Sequence, residues 1–307
     1  MSSEFQNVAP EQIDKPAGEI RHLILPERDL FSRRAERFRQ LAPGHPLGEY
    51  LDFLAAVADA QQQALDQIPE VPQPDPRWSA SCHSHGIPLL NVHSWQRHSA
   101  WQQGLALLLQ QVSSDALPGA TRKSISSLQE KSEAELEQIA DLILSGELAK
   151  VSPRELPFVA AALQVYWLQM ATALGEAAFG RTEHGGTCPV CGSLPSSGIV
   201  GSPASEQGLR YLCCSLCAAQ WHMVRIKCCS CEATGGINHY ILEGANGAVK
   251  AESCDNCNSY LKLLYLEKDR QMEAMADDLA TLTLDMLMDG EGKSRGGPNL
   301  FFHPGTD

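Results

Sequence analysis

Cys188-Pro-Val-Cys191 and Cys214-Ser-Leu-Cys217 recur 40 residues later as Cys228-Cys-Ser-Cys231 and Cys254-Asp-Asn-Cys257. Both copies leave the same 22-residue gap between their inner cysteines, 192–213 and 232–253, so the spacing of four thiols is duplicated as a set. A tight turn between two cysteines aims both sulfurs at one point, and two such turns complete a tetrahedron of thiolates around zinc or iron. The pattern is that of a duplicated four-cysteine metal site, with Cys188, Cys191, Cys214 and Cys217 as one ligand set and Cys228, Cys231, Cys254 and Cys257 as the other.

Two other readings of cysteine pairs fit less well. A disulfide framework belongs with secretion, yet Met1 to Asp14 is polar and lacks the apolar core of a signal peptide. A thioredoxin-like redox motif needs one Cys-x-x-Cys pair and has no use for four in register. The first turn continues into Gly192, which can take the positive φ that lets backbone amides face a sulfur, as in a rubredoxin or zinc-ribbon knuckle. Short strands are expected at Gly208–Leu212, Trp221–Ile226, Ile237–Leu242 and Ala248–Glu252. Ribbons of about 40 residues cannot bury enough apolar surface alone, so bound metal should supply much of their folding energy. Only 218–227 separates one copy from the next, and the two should pack as one unit.

Upstream the sequence turns helical. Leu30, Phe31, Ala35, Phe38 and Leu41 form an apolar stripe, broken by Pro43-Gly44-His45-Pro46 and resumed over Leu47–Ile68. A proline-rich linker follows at 69–76, then helical patterns over Trp95–Val112 and Lys123–Leu148, the latter carrying a Ser132/Glu135 capping box. Ser152-Pro-Arg-Glu155 reads as the start of the core spine, whose apolar run Phe158–Leu174 is interrupted by Gln164 and Gln169 and is too short for a membrane span. The fold class expected is α+β: an N-terminal all-α domain followed by two tandem rubredoxin-like/zinc-ribbon metal modules and a C-terminal helix. The boundaries are an irregular tail at 1–27, a helical domain at 28–180, modules at 185–225 and 226–265, a helix at 266–290 and a flexible tail at 291–307 with Phe301 and Phe302 as anchors.

Among the remaining thiols, Cys213 and Cys229 adjoin ligand positions and leave a second register open; the 40-residue repeat favours Cys214 and Cys228. Cys82-His83-Ser-His85 lacks a matching second knuckle, and His222 reads first as a solvated strand residue. No nucleophile elbow, phosphate-binding loop or zinc-protease helix is present, and a four-sulfur site has no open coordination position, so catalysis is not expected. Basic and aromatic residues interleave around the ribbons (Arg210, Tyr211, Trp221, Arg225, Lys227, Tyr240, Lys250, Tyr260, Lys262), which is the one feature favouring a nucleic-acid-binding zinc-ribbon regulator. Against it stand 24 basic and 37 acidic residues, a net charge of −13 before any thiolate is counted. A protein partner is the better expectation.

The run Cys188-Pro-Val-Cys191-Gly-Ser193, Leu209-Arg-Tyr-Leu-Cys-Cys-Ser-Leu-Cys217, Trp221-His222, Lys227-Cys-Cys-Ser-Cys231-Glu232 and Val249-Lys-Ala-Glu-Ser-Cys254, with Ala276-Asp-Asp-Leu-Ala280 beyond, resembles the formate dehydrogenase accessory protein family, FdhE. The resemblance covers residues 185 to about 290 and does not require Cys213 or Cys229. It implies a cytoplasmic maturation factor or chaperone that binds the catalytic subunit of formate dehydrogenase before export. It also implies two iron ions, one per four-cysteine site, with zinc as the alternative, and no nucleic acid and no membrane insertion. Whether the chain forms a homo-oligomer is left open.

Overall fold

The computed structural model describes residues 5–8, 20–112, 118–201 and 208–305. Strands β1 (Phe5–Val8) and β2 (Leu23–Ile24) precede seven helices: α1 (Leu30–Leu41), α2 (Gly48–Gln67), α3 (Pro76–His85), α4 (Ala100–Val112), α5 (Gly119–Glu130), α6 (Glu133–Leu144) and α7 (Leu156–Leu174). Six strands follow: β3 (Pro195–Val200), β4 (Arg210–Cys214), β5 (Gln220–His222), β6 (Ile237–Leu242), β7 (Val249–Cys254) and β8 (Ser259–Tyr265). The chain closes with α8 (Ala274–Ala280), α9 (Leu282–Gly290) and β9 (Ser294–Arg295).

Helix α7 is the spine. It is apolar on every face and packs against α2, α4 and α6, with Phe158, Tyr166 and Trp167 wholly enclosed. By length and composition it could cross a membrane, but 83% of its most apolar window is buried inside the protein, as expected of a core helix. The capping box forms at α6, where Ser132 Oγ accepts from Glu135 N (3.3 Å) and Glu135 Oε2 accepts from Ser132 N (2.8 Å). The start expected at Ser152 is displaced. Residues 152–155 form a turn in which the Ser152 carbonyl accepts from Glu155 N and Leu156 N, and the helix begins at Leu156. Pro157 explains the shift: it has no N–H to give the carbonyl four residues back, but fits the first helical turn without loss.

The two four-cysteine copies are halves of one sheet, ordered β1-β6-β7-β8-β3-β4-β5-β2, with β9 beside β8. Strands β3, β4 and β5 of the first copy correspond in place and spacing to β6, β7 and β8 of the second, and each triplet is antiparallel. The seam is the parallel pair β3/β8, with Gly198 opposite Leu263. A Cβ on Gly198 would lie 2.6 Å from Leu263 Cδ2, so a side chain here would have to displace the buried Leu263 side chain. Neither seam strand stood out in the sequence, since β3 (Pro-Ser-Ser-Gly-Ile-Val) opens on two residue types depleted in strands and contains glycine.

The ends of the chain differ from the expected irregular tails. β1 pairs with β6 and β2 with β5, so the N-terminal segment covers both outer edges of the double ribbon; Pro10 and Pro16 lie outside the described residues. At the other end β9 joins the sheet and Phe301 is 2% exposed. The helix expected over 266–290 is two helices, broken at Thr281, whose hydroxyl donates to the Asp277 and Asp278 carbonyls (2.8 and 3.1 Å).

Candidate metal centres

Each Cys-x-x-Cys turn is followed by a residue in the left-handed region: Gly192 (φ 78°), Ala218 (57°), Glu232 (58°) and Asn258 (55°). The last three are the non-glycine residues of positive φ among those described, so backbone cost is concentrated at the knuckles. What that geometry achieves is amides turned toward sulfur: Leu216 N and Cys217 N donate to Cys214 Sγ at 3.4 Å, and Ser230 N to Cys228 Sγ at 3.3 Å.

The structure brings the eight spaced cysteines into two groups, Cys188/Cys191/Cys214/Cys217 and Cys228/Cys231/Cys254/Cys257, with all sulfurs of a group within 4.8 Å of one another. In the first group Cys188 and Cys217 lie 3.6 Å apart, Cys191 and Cys214 3.4 Å, and Cys191 and Cys217 3.7 Å. In the second, Cys228–Cys257 and Cys231–Cys254 are both 3.7 Å. Four sulfurs about 2.3 Å from a central ion stand about 3.8 Å apart along each tetrahedral edge, so both groups fit a single tetrahedral ion. Electrostatics point the same way. Burial pushes the Cys188 and Cys217 thiols well up and Cys254 to about 12, so four ionised sulfurs at one point need a cation among them. Hydrogen bonding with Cys229, then with the Cys231 and Ser230 amides, instead takes Cys228 down to about 3 against its burial, which gives the second group a ready thiolate.

Cys213 and Cys229 stay out of both groups. Successive residues of a strand face opposite sides, so Cys213 turns away from Cys214 into a small apolar cluster with Ile199 and Leu264. Cys82 is buried on α3, where burial raises its thiol, and neither it nor His83 and His85 joins a metal-sized cluster among the described residues. His222 is half-buried on β5 with its ring edge-on to Tyr211 at 5.7 Å.

The first centre is locked to the helical domain by groups the cysteine pattern does not reveal. Leu90 N and Val92 N donate to the Val190 and Cys191 carbonyls, each at 3.0 Å, and Trp167 Nε1 of α7 holds the Leu90 carbonyl at 2.9 Å. Gln164, one of the polar residues interrupting the apolar run, is a relay. Its Nε2 donates to Ser215 O inside the second knuckle (2.9 Å), and its Oε1 accepts from Arg34 Nη1 (3.0 Å) and Gln61 Nε2 (3.1 Å). Arg34, 1% exposed, also binds Glu273, which caps α8 by accepting from Met275 N and Ala276 N. Arg37 likewise pairs with Asp277, while Asp278 is wholly buried between Lys262 and Arg295. The Ala276–Ala280 motif is thus the internal clasp joining α1, the sheet and the C-terminal segment. One signal was available in the sequence, a glutamine and two adjacent aspartates inside apolar runs, since such groups persist in a core only when bonded.

Residues that suggested nucleic acid are mostly consumed in the same way. Arg210 is wholly buried, pairing with Glu252 and donating to the Val224 and Lys227 carbonyls at 2.7 Å; Lys262, Lys250, Tyr211, Trp221 and Tyr260 are buried too.

Comparison with known proteins agrees along the whole chain. Residues 20–182 match the family model described as FdhE, N-terminal, residues 187–225 that of the FdhE central domain, and residues 226–302 that of the FdhE C-terminal domain. The FdhE homolog of Pectobacterium carotovorum is 43% identical over 97% of each chain, and that of Yersinia enterocolitica is 43% identical over 94% of this chain and 93% of its own. The crystal structure of the FdhE protein from Pseudomonas aeruginosa superposes with a TM-score of 0.84 at 40% identity, covering 93% of this chain and all of that one. With three successive family models, the curated relatives and the solved structure in agreement over more than nine-tenths of its length, the chain belongs to the FdhE family.

Proposed function

We propose that this protein is a non-catalytic maturation factor that acts in the cytoplasm on formate dehydrogenase, binding its catalytic subunit before export. The observation that carries the reading is the full-length relationship to FdhE proteins together with two intact four-thiol clusters on one braced sheet. The eight cysteines are taken as ligands of two ions, one per cluster, with iron as the first assignment and zinc as the alternative. Iron would add a reversible one-electron change to each centre, whereas zinc would serve as a staple alone. In this reading the helical domain (28–180) is the platform, and the modules at 185–225 and 226–265 are the metal-bearing face. Burial of Arg210, Lys250 and Lys262 withdraws the basic surface that a nucleic-acid reading needs, and the net charge of −13 adds to the objection.

Gene deletion tests the proposal. Formate oxidation should be lost and then restored by the intact chain, and the tagged protein should retain the catalytic subunit on an affinity column. Full activity in the deletion strain, or no retention of that subunit, would overturn it.

A further inference from the structure

The two clusters have one donor set and two environments. All four sulfur-bearing residues of the first are at most 1% exposed, and it is backed by Gln164 and by the Leu90 and Val92 amides. In the second, Cys228 and Cys254 are covered, but Cys231 and Cys257 are exposed to solvent. The groups bonded to those two sulfurs are themselves at the surface: the Asn256 amide reaches Cys231 Sγ at 3.4 Å, and the Ser259 hydroxyl lies 3.0 Å from Cys257 Sγ. A fifth thiol, Cys229, sits beside Cys228 and outside the cluster. Displacing a thiolate requires that an incoming donor reach the centre. The exposed pair allows that approach, and the enclosed first cluster does not.

We infer that the second centre exchanges ligands with thiols from outside the chain, while the first releases its ion far more slowly. This rests on the reading of both clusters as metal sites. An incoming thiol binds in place of the Cys257 thiolate, the more open of the two: one metal–sulfur bond forms and one breaks, and the proton lost by the incoming thiol passes to the released cysteine. No oxidation state changes, so no oxidant or reductant is needed. Repetition of the step removes the ion to the competing thiol. The chemical class recognised is a thiol-bearing small molecule or a cysteine-bearing segment of a partner.

Zinc-loaded full-length protein, its metal content measured first, is mixed with glutathione in the presence of a chromophoric zinc chelator, and release is followed by absorbance. The expected trace has two phases of equal amplitude differing by at least about tenfold in rate, a barrier difference of about 1.4 kcal/mol. The faster rate should rise with glutathione concentration. Cys257→Ser should abolish the fast phase and leave the slow one. Because that variant alters a ligand, Gln164→Leu is the companion: it should speed only the slow phase. Two ions leaving in a single phase, a fast rate independent of glutathione, or a fast phase surviving in Cys257→Ser would overturn the inference alone. A loaded protein with fewer than two ions would overturn the metal reading as well.

Discussion

Replacing Gln164 by leucine tests whether the helical spine and the first metal centre are one mechanical unit. The side chain is 2% exposed, and leucine nearly conserves its volume, so the change removes polar bonding with little cavity. Three buried groups lose a partner: Arg34 Nη1, Gln61 Nε2 and the Ser215 carbonyl. Each group left unsatisfied costs about 1–3 kcal/mol. Gln61 Nε2 keeps the Ala161 carbonyl and Arg34 keeps Glu273 through Nε and Nη2, so the groups left unsatisfied are Arg34 Nη1 and the Ser215 carbonyl and the expected loss is about 3 kcal/mol.

The comparison is Gln169→Leu on the same helix, where the amide is half-buried and bonds the Ile68 and Pro69 carbonyls at 3.3 and 3.2 Å. Water can take over there, and less than about 1 kcal/mol is expected. Urea unfolding of the metal-loaded proteins, followed by far-ultraviolet circular dichroism and tryptophan fluorescence together, reads the difference and shows whether the transition is cooperative. Equal midpoints for the two variants would refute the relay, because Gln164 would then be only a tolerated polar residue in an apolar helix.

Cys188→Ser/Cys191→Ser should lower metal content from two ions to one, whereas Cys82→Ala should leave it unchanged; elemental analysis of both variants checks the assignment. Ala218→Gly should hold or raise the melting temperature, against the usual cost of that exchange, because φ is 57° there: removing left-handed strain of about 1–2 kcal/mol outweighs an entropic cost of about 0.5–1 kcal/mol. Acid stability draws on the buried Asp278. Burial works against its ionisation, but Arg295 and Lys262 more than compensate and hold the carboxyl below its ordinary range. The unfolded chain, with a value near 3.9, therefore binds the proton first. This contribution is fully present above about pH 4 and is lost as pH falls through the lower folded value. Asp278→Asn should flatten the stability profile in urea titrations below about pH 4, and an unchanged slope there would count against the charge cluster.

The four-cysteine clusters were legible in the sequence because their signal is arithmetic: a thiol pattern repeated at a fixed interval survives any uncertainty about strands. Most helices were legible from apolar period and punctuation, and Ser132/Glu135 formed the cap its spacing implied, but α3 (Pro76–His85), which starts on the last proline of the expected linker, was not. The seam between the copies was not, because β3 opens on proline and carries Gly198, opposite the buried Leu263 side chain, and both residue types argue against a strand. Strands β1 and β2 were hidden for another reason. They are four and two residues long and are ordered by the sheet edges they cover, a partner that local sequence cannot display.

Duplication of a ribbon leaves two edges and one join to be satisfied, and the way each is satisfied sets the two centres apart. Joining β3 to β8 places the halves side by side, so an element packed against one half need not reach the other. The helical domain meets the first copy, where Gln164, Leu90 and Val92 fasten its knuckles and leave its sulfurs without access to solvent. The second copy is tied by Lys262 on Asp278 and Glu252 on Arg210 within its strands and by Lys293 on Asp255 at its second knuckle, and none of these covers Cys231 or Cys257. Identical spacing in sequence has therefore produced one centre enclosed by the core and one at the surface. The difference comes from the α1–α7–α8 clasp, and loosening that clasp at Gln164 should make the first centre behave more like the second.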